Sequence, residues 1–403
     1  MIKTLHDINR LIKNHEDYRK KSLNLIASEN YSSNTVRSYL TSDLGNRYGC
    51  YATLEPEKRE YRGNRYIHEL EMEVQKLVGE VFKASYVDLR PIGGHIAGVA
   101  VVAGLLSPGD LVFEISLRDW GHGVVALMQE IPQFRQTIRV DYIPFTEDRM
   151  IDMEKLANMI SELKPSMIIL GGSGMLFPEP IKELRNVLDH KGAVLAHDVS
   201  HVSGLIAGGV YPNPLDEGAD VIFGSTHKSF PGPQGGFVAS RRRDIMTLVG
   251  DAMPALVTSH HLHRLPALAA AMLEMKAFGR EYGEQVIKNS QALGQAMEKE
   301  GFKVVGSRKG YSFTHLILVD VSEFGRGSEM STRLEEAGIF CSDDFGQSDK
   351  ELRIGTAEVT RQGMKEAEMP IIAEFFRKVI VARENPARIA EQVAGLMCRF
   401  SSY

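Results

Sequence analysis

Two short apolar runs, each followed by a charged side chain, constrain the fold of this chain more than any other sequence feature. Residues 193–196 form a strand pattern that leads into Asp198, and residues 221–223 form one that leads into a Gly/Pro-rich loop carrying Lys228. Such strand patterns alternate with helix patterns, which predicts a doubly wound, mainly parallel α/β sheet. Ligands of these sheets collect at the carboxyl ends of strands. We therefore expect Asp198 and Lys228 to lie together at one edge of the sheet.

Each of these two residues has an ordinary explanation when taken alone. Lys228 could be a solvated loop lysine, and Asp198 could cap the next helix. Together they suit pyridoxal 5′-phosphate (PLP), because a carboxylate keeps the pyridine nitrogen protonated while a lysine holds the aldehyde as a Schiff base. We predict a PLP-dependent enzyme in which both residues are catalytic and bind the cofactor. Nearby residues predicted to bind PLP are His201, which is also assigned a catalytic role, and Ser225, Thr226 and His227.

A second anion-binding feature lies upstream, where Gly93, Gly94 and His95 open a helix of small residues after a short strand. The first amide groups of a helix and its positive dipole end favour an anion. We predict that these three residues bind the cofactor phosphate. The alternative is that the glycines serve only close helix packing.

Composition narrows the class of protein. With 403 residues, of which 43% are apolar, the chain can bury a large core and is expected to form two domains. A net charge of −5 gives no reason to expect nucleic acid or an anionic membrane as a partner. Residues 1–21 lack the apolar core of a signal peptide, and no run is long enough to span a membrane. Three widely spaced cysteines, an odd number, predict a reducing, cytoplasmic setting.

Metal binding is not expected from the histidines or cysteines. Cys50, Cys341 and Cys398 lack the close spacing of a metal site, and the histidines at 260, 261 and 263 have no carboxylate or cysteine beside them. Ser259 and His260 are instead possible phosphate donors.

Three longer runs, NLIASENYSS, DVSHVSGLIAGGVYPNP and STHKSFPGPQGG, resemble the serine hydroxymethyltransferase family. The similarity extends from about residue 23 to the C-terminus. It implies a fold-type-I PLP-dependent transferase with an N-terminal arm (1–48), a large PLP-binding domain (49–280) and a smaller α+β C-terminal domain (281–403). It also implies an amino acid substrate and a homodimer or dimer of dimers, in which the arm and the 254–266 loop complete a neighbour's site.

The resemblance assigns roles to five further residues. It implies that Ser28 and Arg353 bind the substrate carboxylate, that Tyr48 and Tyr61 line the substrate pocket with Tyr48 also catalytic, and that His122 stacks on the PLP ring as a catalytic and cofactor-binding residue. Their ordinary alternatives are a helix cap for Ser28, a surface ion pair for Arg353, packing for the tyrosines and a structural role for His122. A guanidinium fork matches a planar carboxylate, which favours binding by Arg353.

The chain departs from the family at the acid–base residue. Cys50 stands where the family has a proton-handling glutamate, two residues after Tyr48. The segment is also about three residues longer, so Glu55, Glu57 or Glu60 are candidates to replace it. The acid–base role stays unassigned.

The chain also departs from the family in the region that the resemblance assigns to folate binding. The family's glycine-rich loop is replaced by DAMPALVTSHHLHRLPALAAAM, the stretch SDDFGQSDK lacks an insert, and Ala357 and Gly123 replace a proline and a bulkier apolar residue. These changes predict that tetrahydrofolate is not used, with another pterin carrier as the open alternative. Three readings follow: a hydroxymethyltransferase, aldolase or transaldolase acting on β-hydroxy amino acids; a lyase or aminotransferase on the same fold; or a non-catalytic scaffold.

Overall fold

The computed structural model of the chain describes residues 1–59, 61–131, 137–146, 148–188, 192–345 and 347–400. Contacts divide it into two compact units. Unit 1 combines Met1–Glu29 with Gln285–Tyr403, and unit 2 is the continuous stretch Asn30–Glu284.

The elements are numbered in chain order. The helices are α1 Leu5–Lys20, α2 Asn34–Tyr39, α3 Arg65–Phe82, α4 Gly94–Leu105, α5 Val124–Glu130, α6 Met153–Leu163, α7 Ile181–Leu188, α8 Ser203–Ala207, α9 Pro214–Glu217, α10 Arg243–Leu256, α11 Arg264–Lys299, α12 Gly327–Glu336, α13 Ala357–Arg361, α14 Met369–Phe376 and α15 Pro386–Met397. The strands are β1 Leu23–Asn24, β2 Tyr86–Asp88, β3 Leu111–Glu114, β4 Arg139–Tyr142, β5 Met167–Leu170, β6 Val194–Asp198, β7 Val221–Ser225, β8 Gly236–Ser240, β9 Lys303–Val304, β10 Leu316–Asp320, β11 Ile339–Phe340, β12 Ser342–Asp343 and β13 Glu351–Gly355.

Unit 2 is built on a seven-stranded sheet with the order β2-β8-β7-β6-β5-β3-β4. Among these described strands, β8 runs antiparallel to its neighbours, and the other pairs are parallel. The sheet is therefore mainly parallel, as predicted. β6 and β7 are adjacent, with Asp198 opposite Phe223, so the loop carrying Lys228 begins beside the end of β6.

The central strands are apolar throughout because both faces of the sheet are covered. In β5, Met167 and Ile169 pack into one core with residues of α4 and α10. Ile168 and Leu170 pack into a second core with residues of α6 and α7. Successive side chains of a strand point to opposite faces, so a strand buried on both sides is a continuous apolar run. Polar side chains that do chemistry therefore occur where these strands end.

Unit 1 contains an antiparallel sheet of order β12-β13-β10-β9 and a separate parallel pair, β1 with β11. In that pair Leu23 lies opposite Ile339. Both residues belong to the apolar core of the unit, together with residues of α12, α14 and α15. The antiparallel sheet places Arg353 of β13 opposite Leu318 of β10.

Helix α1 begins with a capping box, in which Asp7 N donates to Thr4 Oγ1 (3.3 Å) and Thr4 N donates to the Asp7 carboxylate (3.0 Å). The helix has no buried residue. Its apolar side chains are all exposed, namely Leu5, Ile8, Leu11 and Ile12. Within the described ranges, no helix combines the length and apolar composition needed to cross a bilayer.

Candidate active site

Asp198 ends β6 and is 3% exposed. Its Oδ1 accepts a hydrogen bond from the Ser200 amide (2.9 Å), and its Oδ2 lies 2.7 Å from Nδ1 of His122. Burial alone would raise the pKa of this carboxyl, but the charges of His122 and Lys228 and the bond from Ser200 outweigh burial. The pKa of Asp198 is therefore held well below its ordinary value, and the side chain is a buried anion at neutral pH.

His122 lies in the loop between β3 and α5. Its ring stacks on that of His201, with centroids 5.5 Å apart and planes 25° apart. Ser173 fixes the backbone of this loop, because the Trp120 carbonyl accepts hydrogen bonds from the Ser173 amide (2.6 Å) and hydroxyl (3.1 Å). The structure thus brings Asp198, His122 and His201 together, with His122 in contact with the carboxylate as well as with the second ring.

The loop that carries Lys228 is closed by hydrogen bonds to its backbone. The Thr226 hydroxyl donates to the Pro233 carbonyl (2.6 Å). Asn30 Nδ2 donates to the carbonyls of Lys228 (2.7 Å) and Ser229 (3.2 Å). These bonds fix the main chain around the lysine. Because the Thr226 hydroxyl shapes the loop, its contact with a cofactor stays a prediction.

His227 precedes Lys228 in this loop. Burial, and then the charge of Lys228, lower the pKa of His227 to about 4, so its imidazole is neutral at neutral pH. Its buried Nδ1 has no hydrogen-bond partner in the part of the chain that the structure describes. An unpartnered buried polar atom is unfavourable, which makes this nitrogen a candidate for contact with a polar ligand.

A cradle without side chains lies at the start of α4. A Cβ added to Gly94 would lie only 2.5 Å from Ser225 Oγ and 2.9 Å from Ser200 Oγ. The N-cap residue Gly93 provides no side-chain hydrogen bond, so the first amides of this helix can serve a ligand. His95 follows with an exposed side chain, and desolvation and then the charge of His122 lower the pKa of its imidazole. Glycine at 94 therefore allows two hydroxyls and a helix terminus to meet.

Arg353 is the principal cation of the predicted carboxylate site in unit 1. It is 3% exposed, its Nε donates to Ser342 Oγ (3.2 Å), and its guanidinium carbon lies 5.3 Å from the centre of the Phe345 ring. Burial lowers the pKa of Arg353 to about 10, so the side chain remains charged at neutral pH. A buried guanidinium of this kind can bind a carboxylate strongly because little water competes for it.

The segment that carries Ser28 runs beside the end of β13. The Gly355 amide donates to the Leu25 carbonyl (2.7 Å), and a Cβ on Gly355 would lie 2.5 Å from Ala27 Cα. His315 Nε2 lies 3.0 Å from the Ala27 carbonyl on the other side. Ser28, which is half-buried, therefore sits in the turn after β1, and this turn is fixed to the strand that carries the arginine.

Replacing Arg353 by alanine is expected to raise KM for the amino acid by about 30-fold, or roughly 2 kcal/mol, because a charge-assisted contact is lost. The kcat value should change much less. Arg353→Lys should recover only part of the affinity, since an ammonium cannot make a bidentate contact. Steady-state kinetics measure both values, with Arg377→Ala, a partly exposed arginine of unit 1, as the control. An unchanged KM in Arg353→Ala would remove this residue from the substrate site.

The two predicted pocket tyrosines lie together on the surface of unit 2. The rings of Tyr48 and Tyr61 are 4.9 Å apart and are 44% and 53% exposed. Their predicted contact with substrate stays a prediction. Cys50 between them is half-buried.

The candidates for the missing acid–base glutamate are placed as follows. Glu55 forms an ion pair with Lys58, and Glu57 is exposed. Glu60 lies outside the described residues. The ion pair of Glu55 lowers the pKa of its carboxyl, chiefly through the hydrogen bond to Lys58, so this group is poorly suited to carry a proton at neutral pH.

Two residues that shape the site, Ser200 and Asn30, were not predicted from the sequence. Ser200 donates its amide to Asp198, and its hydroxyl accepts from the Ser225 amide (2.9 Å), so it ties the ends of β6 and β7 together. The order Asp-Val-Ser at a strand end is typical of a turn in which the aspartate carboxylate accepts a hydrogen bond from the amide two residues later. This pattern could have indicated the role of Ser200. Asn30 holds the lysine loop from far along the chain, and only its place in the run NLIASENYSS hinted at a role.

The side chains of unit 2 fit PLP. Asp198 can balance the charge of a protonated pyridine nitrogen, the cradle at Gly94 can receive a phosphate, and Lys228 offers an amine to the aldehyde. The buried atoms Nδ1 of His227 and Nε2 of His122 have no hydrogen-bond partner among the described residues, so both are available to a polar ligand. Fold and site together define a fold-type-I PLP-dependent enzyme.

Comparison with known proteins gives the family. Residues 2–376 match the family model described as serine hydroxymethyltransferase. A serine hydroxymethyltransferase of Staphylothermus marinus is 40% identical over 400 residues, covering 96% of this chain and 90% of that protein. One from Methanopyrus kandleri is 37% identical over 409 residues, covering 99% and 94%. The crystal structure of L-threonine transaldolase from Pseudomonas fluorescens matches with a TM-score of 0.91 at 28% identity, covering 98% of this chain and 91% of that one.

The chain belongs to the serine hydroxymethyltransferase family. This confirms the predicted resemblance, the fold class and PLP as the cofactor. The protein is a PLP-dependent enzyme that makes or breaks Cα–Cβ bonds.

Proposed function

We propose that this enzyme cleaves the Cα–Cβ bond of β-hydroxy-α-amino acids such as serine or threonine to give glycine and an aldehyde, and forms the same bond in reverse, without tetrahydrofolate. The observation that carries the proposal is the buried anion Asp198 at the end of β6, beside the loop that carries Lys228. A carboxylate held ionised at that place supports chemistry in which negative charge must be drawn away from Cα.

Each residue has a defined task in this chemistry. Bound PLP supplies an electron sink for the pair of electrons released at Cα. Asp198 provides the negative charge that balances the protonated pyridine nitrogen. Lys228 provides the amine that holds the cofactor aldehyde until the substrate amine replaces it. Arg353 and Ser28 bind the substrate carboxylate. The neutral imidazole of His227 can donate or accept one hydrogen bond without adding charge beside Lys228.

Independence of tetrahydrofolate is supported by the backbone after His122. Gly123 has a φ of +59°, a left-handed conformation that side chains rarely adopt. A Cβ there would also lie 2.9 Å from Leu117 Cδ2. The bulkier apolar residue that the family resemblance implies at this position would therefore be strained. This difference beside His122 supports a substrate pocket of altered shape, and binding of a flat pterin depends on a pocket of defined shape.

The experiment compares amino acids with and without tetrahydrofolate. Glycine, serine, threonine and 2-methylserine are supplied one at a time in deuterated buffer, and NMR follows release of glycine, or of alanine from 2-methylserine, and exchange of the glycine α-proton. We expect cleavage of at least one β-hydroxy amino acid, α-proton exchange in glycine, and rates that tetrahydrofolate leaves unchanged. Strong stimulation by tetrahydrofolate would instead establish the hydroxymethyltransferase reading. Formation of a 2-oxo acid without glycine would establish a lyase or aminotransferase.

We propose that the enzyme is a homodimer or a dimer of dimers. Helix α1 supports this, because its apolar side chains Leu5, Ile8, Leu11 and Ile12 recur at helical spacing and none is buried. A second copy could cover them. Sedimentation velocity should therefore give at least twice the mass of the 44.8 kDa chain. A fully active monomer would refute the assembly and leave the proposed chemistry untouched.

A further inference from the structure

Glu71, in the middle of α3, joins three parts of unit 2. Its carboxylate accepts a hydrogen bond from Tyr51 Oη (2.7 Å), forms an ion pair with Arg59, and lies 3.2 Å from Nε2 of His260. The side chains of Glu71, Arg59 and His260 are completely buried. Burial by itself would raise the pKa of Glu71, but His260 and Arg59 outweigh it and lower this pKa to about 2.

Tyr51 and Arg59 belong to what we call the tyrosine segment, residues 48–59 together with Tyr61. Its described part holds no helix or strand apart from the short turn Pro56–Lys58. Side chains must therefore hold it in place. The Tyr51 ring contacts two guanidinium groups, with the carbons of Arg59 and Arg90 at 4.7 and 4.8 Å from its centre. Arg90 Nη1 also donates to the Tyr51 carbonyl (3.2 Å).

His260 belongs to the histidine loop, residues 257–263, which lies against the same segment. The Gly49 amide donates to Ser259 Oγ (3.1 Å). A Cβ on Gly49 would lie 2.9 Å from the His260 carbonyl and 3.0 Å from His260 Cδ2, so the two backbones meet where only glycine fits. The histidine loop therefore packs on the residue between Tyr48 and Cys50, and Glu71 holds that loop through its histidine.

We propose that Glu71 is the positioning residue of the active-site tyrosines, the buried anion that fixes the tyrosine segment and the histidine loop to α3. Tyr48 and Tyr61 expose their rings, while Tyr51 and Arg59 between them are anchored to this carboxylate. The proposal rests on the proposed function in one respect, which is that these two tyrosines line the substrate pocket. The alternative is a buried ion pair that stabilises unit 2 as a whole without controlling the segment.

Cys50 provides a direct probe because it lies in the segment, next to Tyr51. The other two cysteines can be removed. Cys398 is exposed and can be replaced by serine, and Cys341, which is half-buried like Cys50, can be replaced by alanine. In the Cys341→Ala/Cys398→Ser holoenzyme, the rate of alkylation by iodoacetamide therefore reports the exposure of Cys50, without any substrate present.

Tyr51→Phe is the main variant because it removes only the hydroxyl that donates to Glu71. We expect Cys50 to react about tenfold faster and kcat/KM to fall by about tenfold, the effect of losing a hydrogen bond to a charged group. Glu71→Gln should have larger effects of the same kind, since it leaves Arg59 buried without a counter-charge. The absorbance of bound PLP should stay unchanged in Tyr51→Phe, because the lysine loop is not touched.

Tyr211→Phe is the matched control, since Tyr211 is also buried in unit 2 and lies outside the segment. It should change neither the Cys50 rate nor kcat/KM. Equal Cys50 rates in wild type and Tyr51→Phe would overturn the proposal, and so would an equal acceleration in Tyr211→Phe, which would indicate general loosening. The thiol measurement needs no substrate, so failure of the proposed function appears separately, as a wild-type enzyme that cleaves no β-hydroxy amino acid.

Discussion

Lys228→Ala is expected to lose turnover by at least about a thousandfold, because no other amine can take its place in exchanging with the substrate. The loop itself should survive, since the hydrogen bonds of Asn30 and Thr226 that shape it involve carbonyl groups rather than the lysine side chain. The variant should therefore fold with a Tm close to that of the wild type while failing in catalysis.

Borohydride reduction followed by peptide mass mapping measures the same prediction chemically. The reduced wild-type protein should carry a pyridoxyl group on Lys228, and Lys228→Ala should carry none at that peptide. Lys276→Ala is a suitable control, because Lys276 is an exposed residue of unit 2 paired with Glu80. Turnover of Lys228→Ala within tenfold of the wild type, or a label on another lysine in the wild type, would contradict the assignment.

Asp198→Asn is expected to lower kcat by about two to three orders of magnitude, the range that loss of a preorganised active-site charge produces. The amide has nearly the same size but cannot balance a positive pyridine nitrogen. Because the folded-state pKa of Asp198 lies well below its ordinary value, the wild type should show no titration of this group between pH 5 and pH 9. The same shift means that Asp198 contributes stability above the unfolded-state pKa and that this contribution is lost as pH falls.

The control separates charge from packing. Asp220→Asn removes a carboxylate of the same unit that pairs with Arg185 and Arg242, away from Asp198. It should lower the Tm with little effect on kcat. Asp198→Asn with kcat within threefold of the wild type would show that this carboxylate does not govern the chemistry.

Much of the fold could be predicted because its central strands are buried on both faces. The strand before Asp198 was expected at residues 193–196 and runs from Val194 to Asp198, and that before Lys228 was expected at 221–223 and runs from Val221 to Ser225. The first strand begins one residue later than predicted, and both strands extend further at their carboxyl ends, into His197 and Asp198 and into Gly224 and Ser225. Those residues continue the backbone pairing, but the apolar pattern that reveals a strand stops before them.

The contacts that complete the site could not be predicted, because they join residues far apart in sequence through single hydrogen bonds. Asn30 meets the lysine loop, and Tyr51 and His260 meet at Glu71. No periodicity links such pairs. The exposed pairing of Tyr48 with Tyr61 is a further example, since a family resemblance implies a role for each ring but not their contact with each other.

The parallel pairing of β1 with β11 limits the order in which the two units can fold during synthesis. Leu23 cannot meet Ile339 until the residues between them have been synthesised, about 15–60 s later at typical elongation rates. During that interval unit 2, which is continuous in sequence, can already be folded. In unit 1, β1 is made before unit 2 and its partner β11 is made after it. Leu23 is thus synthesised before unit 2 and buried only after it, so this apolar side chain stays exposed while unit 2 folds.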